Sequence, residues 1–163
     1  MKNDQVDRIL QQWERERSDL DTSPMAITGR IMRISICFKE AMENTFRPFG
    51  LNFAGFDLLA TLLRSGSPYT LSPGELLQST MVTSGTLTNR IDRLEKVGLV
   101  SRTQNLEDKR SYMIGLTDRG YNLINEVLEA HVKTLHEITE SISARDRATL
   151  SELLQKITAS FEG

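Results

Sequence analysis

SGTLTNRIDRLEKVGLVSR, residues Ser84 to Arg102, contains a helix, its stop signal and the start of a strand in succession. With Leu87 at zero and about 100° per residue, Ile91, Leu94 and Val97 fall within roughly 80° of it, an inward stripe. Gly85, Asn89, Asp92, Arg93 and Lys96 fall on the far side. Gly98 follows the last turn, where a left-handed C-cap is expected. Small polar side chains come first on this helix and cations later. That order suits a recognition helix whose N-terminal residues reach base edges. Ser84, Thr86 and Thr88 offer short hydrogen-bonding groups, Asn89 can pair with adenine, and Arg93 with guanine or a phosphate.

Upstream, Ser72-Pro73-Gly74-Glu75 is a capping box opening a short helix, Pro73 to Gln78. A break at Ser79 to Val82 and a second N-terminus at Thr83 or Ser84 complete a helix-turn-helix pattern. Downstream, Leu99–Thr103 and Ser111–Leu116 read as two strands around the polar loop Asn105 to Arg110. A hairpin in that place is a wing. Lys109 and Arg110 at its tip can reach phosphates or a narrow minor groove. Outward again, helices are expected from Asp4 to about Leu20, from the Thr22/Ser23 cap to Pro48-Phe49-Gly50, and from Asn52 to Ser65-Gly66-Ser67-Pro68. A long helix follows the Thr117 cap, and a last one follows Ser143. The expected fold is mainly α with a small β-hairpin wing. It is a single domain over 1–163, with a winged helix-turn-helix region at 53–116.

The chain has 163 residues, 39% hydrophobic and 26% charged, which describes a soluble folded domain. No apolar run approaches the roughly 18 residues of a membrane span, and no signal peptide is evident, so no membrane partner and a cytoplasmic location are expected. The single cysteine, Cys37, fits a reducing compartment. The net charge of −2 is low for a DNA binder. Its distribution is more favourable: residues 90–119 hold seven Lys/Arg against five acids. Residues 1–25 hold four against six, and 121–163 four against seven. Basic charge gathers where phosphate contact is wanted.

Ser84–Arg102, with EDKRS (Glu107–Ser111) and LTDRG (Leu116–Gly120), resembles the MarR family of winged-helix regulators. The resemblance spans essentially the whole chain. It implies a repressor that acts as a homodimer on a palindromic operator in double-stranded DNA. Helices at 1–50 and 117–163 would build the dimer. The two recognition helices would then enter successive major grooves, with Arg110 in the minor groove and Asp108 supporting the wing.

Arg90 lies about 60° from Leu87, beside the apolar stripe, where a cation wants an anionic partner. Asp57, within Phe53-Ala54-Gly55-Phe56-Asp57-Leu58-Leu59, reads either as another charge in need of a partner or as part of a solvated stripe with Thr61 and Arg64. Trp13, Asp57, Arg90 and Arg102 together match the set that marks the urate-responsive, PecS-like branch of the family, as does WERERSDLDTSPM (Trp13–Met25). Arg17-Ser18-Asp19 departs slightly from that branch's usual Arg-Pro-Asp. The resemblance implies that Trp13 shapes a pocket for a flat purine and Arg90 neutralises the purine anion. Asp57, repelled by the anion, would act through an ion pair to Arg102, so that urate or a related purine lowers DNA affinity.

Two alternatives keep the fold. Oxidants could be sensed through Cys37, although a lone cysteine near Ile34, Ile36 and Phe38 reads first as packing. The winged helix could also serve as a protein-interaction module. His131 and His136, five apart on one helix, face different directions, and no metal set or cofactor motif is present. Glycine-rich phosphate loops and nucleophile elbows are missing too, so no enzyme is expected.

Overall fold

Short polar side chains set the helix starts in this chain. Asn52, Ser72, Thr117 and Ser143 each accept a hydrogen bond from the backbone N–H three residues on. The computed structural model describes residues 3–80, 87–104 and 111–161. It divides into two compact units, Met1–Ala41 and Met42–Gly163.

In the first unit α1 (Gln5–Glu16) is capped by Asp4, whose carboxylate takes the Asp7 N–H while Asp7 takes that of Asp4. The helix ends four residues before the expected Leu20. The Arg17 N–H bonds the Trp13 carbonyl, and Arg17 then pairs with Asp19 at 2.8 Å, which turns the chain. α2 (Ser23–Phe46) carries Arg30, which bridges Asp4 and Asp7 at 2.9 and 2.5 Å, and Gly29, which packs against Val6.

In the second unit Arg47–Phe49 forms a 3-10 turn and leads to α3 (Phe53–Arg64). α3 packs against α4 (Pro73–Ser79), α5 (Leu87–Lys96 as described) and α6 (Asp118–Ile138). Phe46, Leu58, Leu59, Leu62, Leu76, Ile91, Ile114, Ile124 and Val127 fill the core. Strands β2 (Val100–Gln104) and β3 (Tyr112–Leu116) pair antiparallel from Val100 with Leu116 to Gln104 with Tyr112. The expected hairpin gains a third strand. β1 (Thr70–Leu71) lies on the other edge of β3, with Thr70 opposite Gly115. α7 (Ala144–Ala159) closes the order. The fold is mainly helical with a small antiparallel sheet. Among the described residues no helix is long and apolar enough to cross a membrane.

Candidate nucleic-acid interface

α5 buries Leu87, Ile91 and Leu94 and leaves Thr88, Asn89, Asp92, Arg93 and Lys96 exposed. The helical wheel anticipates this face for Asn89, Asp92, Arg93 and Lys96. Val97 is the exception: expected inside, it is 48% exposed, because the helix stops at Lys96 and the chain turns away.

That turn is tightly specified. Gly98 sits at φ 71°, its N–H bonds the Glu95 carbonyl, and the Leu99 N–H bonds the Leu94 carbonyl, both at 2.9 Å. This pair of bonds is a Schellman stop. The Leu-Thr-x-x-Gly motif grips the same turn from the other side. Thr117 Oγ1 donates to the Gly98 carbonyl (2.7 Å), and the Arg119 guanidinium donates to the Val97 carbonyl (2.9 Å). Gly120 lies so close to the Leu99 carbonyl that a Cβ there would overlap it. The motif that carries the family resemblance thus fixes the C-terminal end of α5 to the start of α6.

The sheet is tied to α5 as well. Arg102 on β2 makes ion pairs with both Asp92 and Glu95 of α5. Its guanidinium also lies 5.5 Å from the centroid of the Tyr112 ring on β3. The hydrogen bond that the Arg102 guanidinium donates to the Asp92 carboxylate is the chief cause that raises the Arg102 pKa above its ordinary value. Sequence reasoning gives Arg102 a signalling role and misses these two acids as its partners.

Arg90 is half-buried, and its Nη1 is buried without a hydrogen-bond partner among the described residues. An open cleft of about 580 Å³ adjoins it, lined by Leu51, Asn52, Gly55, Asn89, Arg90 and Arg93 among others. A guanidinium that lines a cleft and has a buried nitrogen without a partner among the described residues favours an anion nearby. Asp57 is buried at 4% exposure together with Thr61, whose hydroxyl donates to the Asp57 carbonyl at 2.7 Å. The solvated-stripe reading therefore fails for both, and only Arg64 of that set is exposed. Trp13, in the first unit, is 41% exposed. Cys37 is exposed and not packed. Ser84, Thr86, Asp108, Lys109 and Arg110 lie outside the described residues. Among the described residues no group of His, Cys, Asp and Glu is arranged to hold a metal ion.

Known proteins agree with this architecture. The MarR family model matches residues 51–112. The HTH-type transcriptional regulator PecS of Dickeya dadantii is 40% identical over 153 residues, covering 94% of this chain and 92% of its own. AbsC, a MarR family transcriptional regulator from Streptomyces coelicolor, superposes with a TM-score of 0.79 at 21% identity, over 88% of this chain and 97% of its own. A mutant of E. coli MarR complexed with operator DNA superposes with a TM-score of 0.72 at 26% identity, over 85% of this chain and 99% of its own. This chain belongs to the MarR family, as a PecS-like, DNA-binding transcriptional regulator and not an enzyme.

Proposed function

We propose that the chain represses transcription as a homodimer on a palindromic operator, and that an anionic purine such as urate weakens its grip. The observation that carries the DNA reading is the exposed polar face of α5, held rigidly at its C-terminal end by Thr117, Arg119 and Gly120. On this reading Thr88, Asn89 and Arg93, with Ser84 and Thr86 before them, read the major groove. Lys109 and Arg110 of the wing reach the minor groove, supported by Asp108. The helices of 1–50 and 117–163 pair two copies around the 53–116 reading regions, so that two half-sites are held at once in the cytoplasm.

Arg90 supports the effector reading. Its guanidinium, whose Nη1 has no partner among the described residues, offers a purine anion a charge-assisted hydrogen bond, and the cleft that Arg90 lines has room for a flat ring. A ligand shifts an equilibrium only by binding its two states unequally. An anion that repels the buried Asp57 carboxylate supplies that inequality, with Arg102 relaying it. The experiment is a titration of a labelled duplex from the chain's own upstream region, with and without urate. Wild-type affinity should fall as urate rises. Arg90→Ala should bind DNA but need about tenfold more urate, or more, for the same release. A urate response unchanged in Arg90→Ala removes Arg90 from the pocket, and a wild-type chain that ignores urate ends the purine reading.

A further inference from the structure

α5 carries acids where a DNA-reading helix wants none. Asp92 lies four residues after Thr88, three after Asn89 and four before Lys96, in the middle of the exposed face, and its side chain is 54% exposed. Glu95, 36% exposed, borders the same face. Carboxylates brought against a duplex are repelled by phosphates within a Debye length, about 8 Å at physiological salt. Both acids are engaged by a single side chain, Arg102, which reaches across from β2 and is only 27% exposed. The Tyr112 ring beneath its guanidinium holds that side chain over the sheet.

We propose that Arg102 is a charge mask: by pairing with Asp92 and Glu95 it cancels about half of their combined charge, letting α5 approach the phosphate backbone. Arg102 is on this account a positioning residue that need not touch DNA. The role also gives any effector a lever. A ligand that draws Arg102 from its acids would leave two negative charges facing the duplex without moving the helix itself. The proposal rests on α5 being the element that meets DNA.

The test is a substitution cycle read by fluorescence anisotropy on a duplex selected from a random pool by the wild-type chain. Arg102→Ala should weaken binding by about tenfold to a hundredfold. Asp92→Asn with Glu95→Gln should bind no more weakly than wild type. The triple variant Arg102→Ala/Asp92→Asn/Glu95→Gln should regain wild-type affinity within about threefold, because neither the mask nor the charges it covers remain. The Arg102→Ala defect should also shrink between about 0.05 M and about 0.5 M salt, since it is Coulombic. A triple variant as weak as Arg102→Ala overturns the mask and makes Arg102 a direct phosphate contact or a structural brace. Thermal melting separates those two, because a brace lowers Tm and a phosphate contact does not. Wild-type binding by Arg102→Ala overturns the mask outright. Arg93→Ala is the control for the underlying reading. If it binds as wild type, α5 is not on the duplex and the mask falls with it. If it weakens, α5 is placed there whatever the cycle shows.

Discussion

His131 shows how much one side chain in this fold gives up to its surroundings. Its ring lies 4.7 Å from the Phe56 ring and 5.5 Å from the Phe46 ring, centroid to centroid, and its Nδ1 is buried without a hydrogen-bond partner among the described residues. Removal from water disfavours the imidazolium, so burial lowers the His131 pKa below the usual 6.5. The unfolded chain therefore takes up this proton at a higher pH than the folded one. The contribution to stability is complete above the unfolded value of 6.5 and is lost as pH falls through the lower folded value. Urea unfolding should show the wild-type midpoint dropping from about pH 7 to about pH 5, and His131→Leu should flatten that part of the slope. An unchanged slope in His131→Leu would assign the acid sensitivity to other groups.

At the scale of elements, the junction between α5 and α6 sets two physical effects against each other at Gly120. Glycine in the first turn of a helix is a poor helix former, and alanine should improve α6 by up to about 1 kcal/mol on propensity alone. A Cβ at this position, however, overlaps the Leu99 carbonyl oxygen, and backbone cannot yield as a flexible side chain can. Overpacking of that kind costs about 1–3 kcal/mol or more, so the clash wins. Gly120→Ala should lower Tm by roughly 3–10 °C and, by shifting the end of α5, weaken operator binding about tenfold. A Tm equal to or above wild type would show that the turn relaxes freely. The same junction shows what the sequence could and could not reveal. Local signals were legible: the caps at Asn52, Ser72, Thr117 and Ser143, the Gly98 stop, and the wheel that put Asn89, Asp92, Arg93 and Lys96 outside. Signals that depend on distant chain were not. β1 is two residues long and exists only because β3 pairs with it, so no alternation announces it. Asp57 and Thr61 look like a polar stripe until the surrounding elements bury them. Nothing in the spacing of Arg102 marks Asp92 and Glu95 as its partners, because a strand must first fold back along α5.

For the whole molecule the question is what covers the apolar side chains a single chain leaves in water. In the first unit α2 exposes Ile27, Ile31, Ile34 and Phe38 on one stripe, while Met32 and Ile36, at 70% and 68% exposure, stand nearly opposite. In the second unit α7 exposes Leu150, Leu153, Leu154 and Ile157 at helical spacing, with Phe161 beyond them at 82%. Scattered apolar residues are ordinary on a protein surface, but continuous stripes on two helices mark an interface. A helix with apolar stripes on opposite sides needs cover from two directions. A second copy, as in the proposed homodimer, would supply such cover, and the DNA-reading function independently favours one. A single short helix makes few base contacts, whereas linking two raises affinity by about a hundredfold or more without any new kind of contact. Leu153→Glu with Ile157→Glu places two charges in the α7 stripe and leaves α5 untouched. Sedimentation should then give the chain mass where wild type gives twice that mass, and operator affinity should fall at least about a hundredfold while the melting profile of the second unit persists. A wild-type chain that sediments as a monomer at DNA-binding concentrations, or a monomeric variant that holds the operator as tightly as wild type, would mean that one reading helix suffices and that the stripes serve another partner.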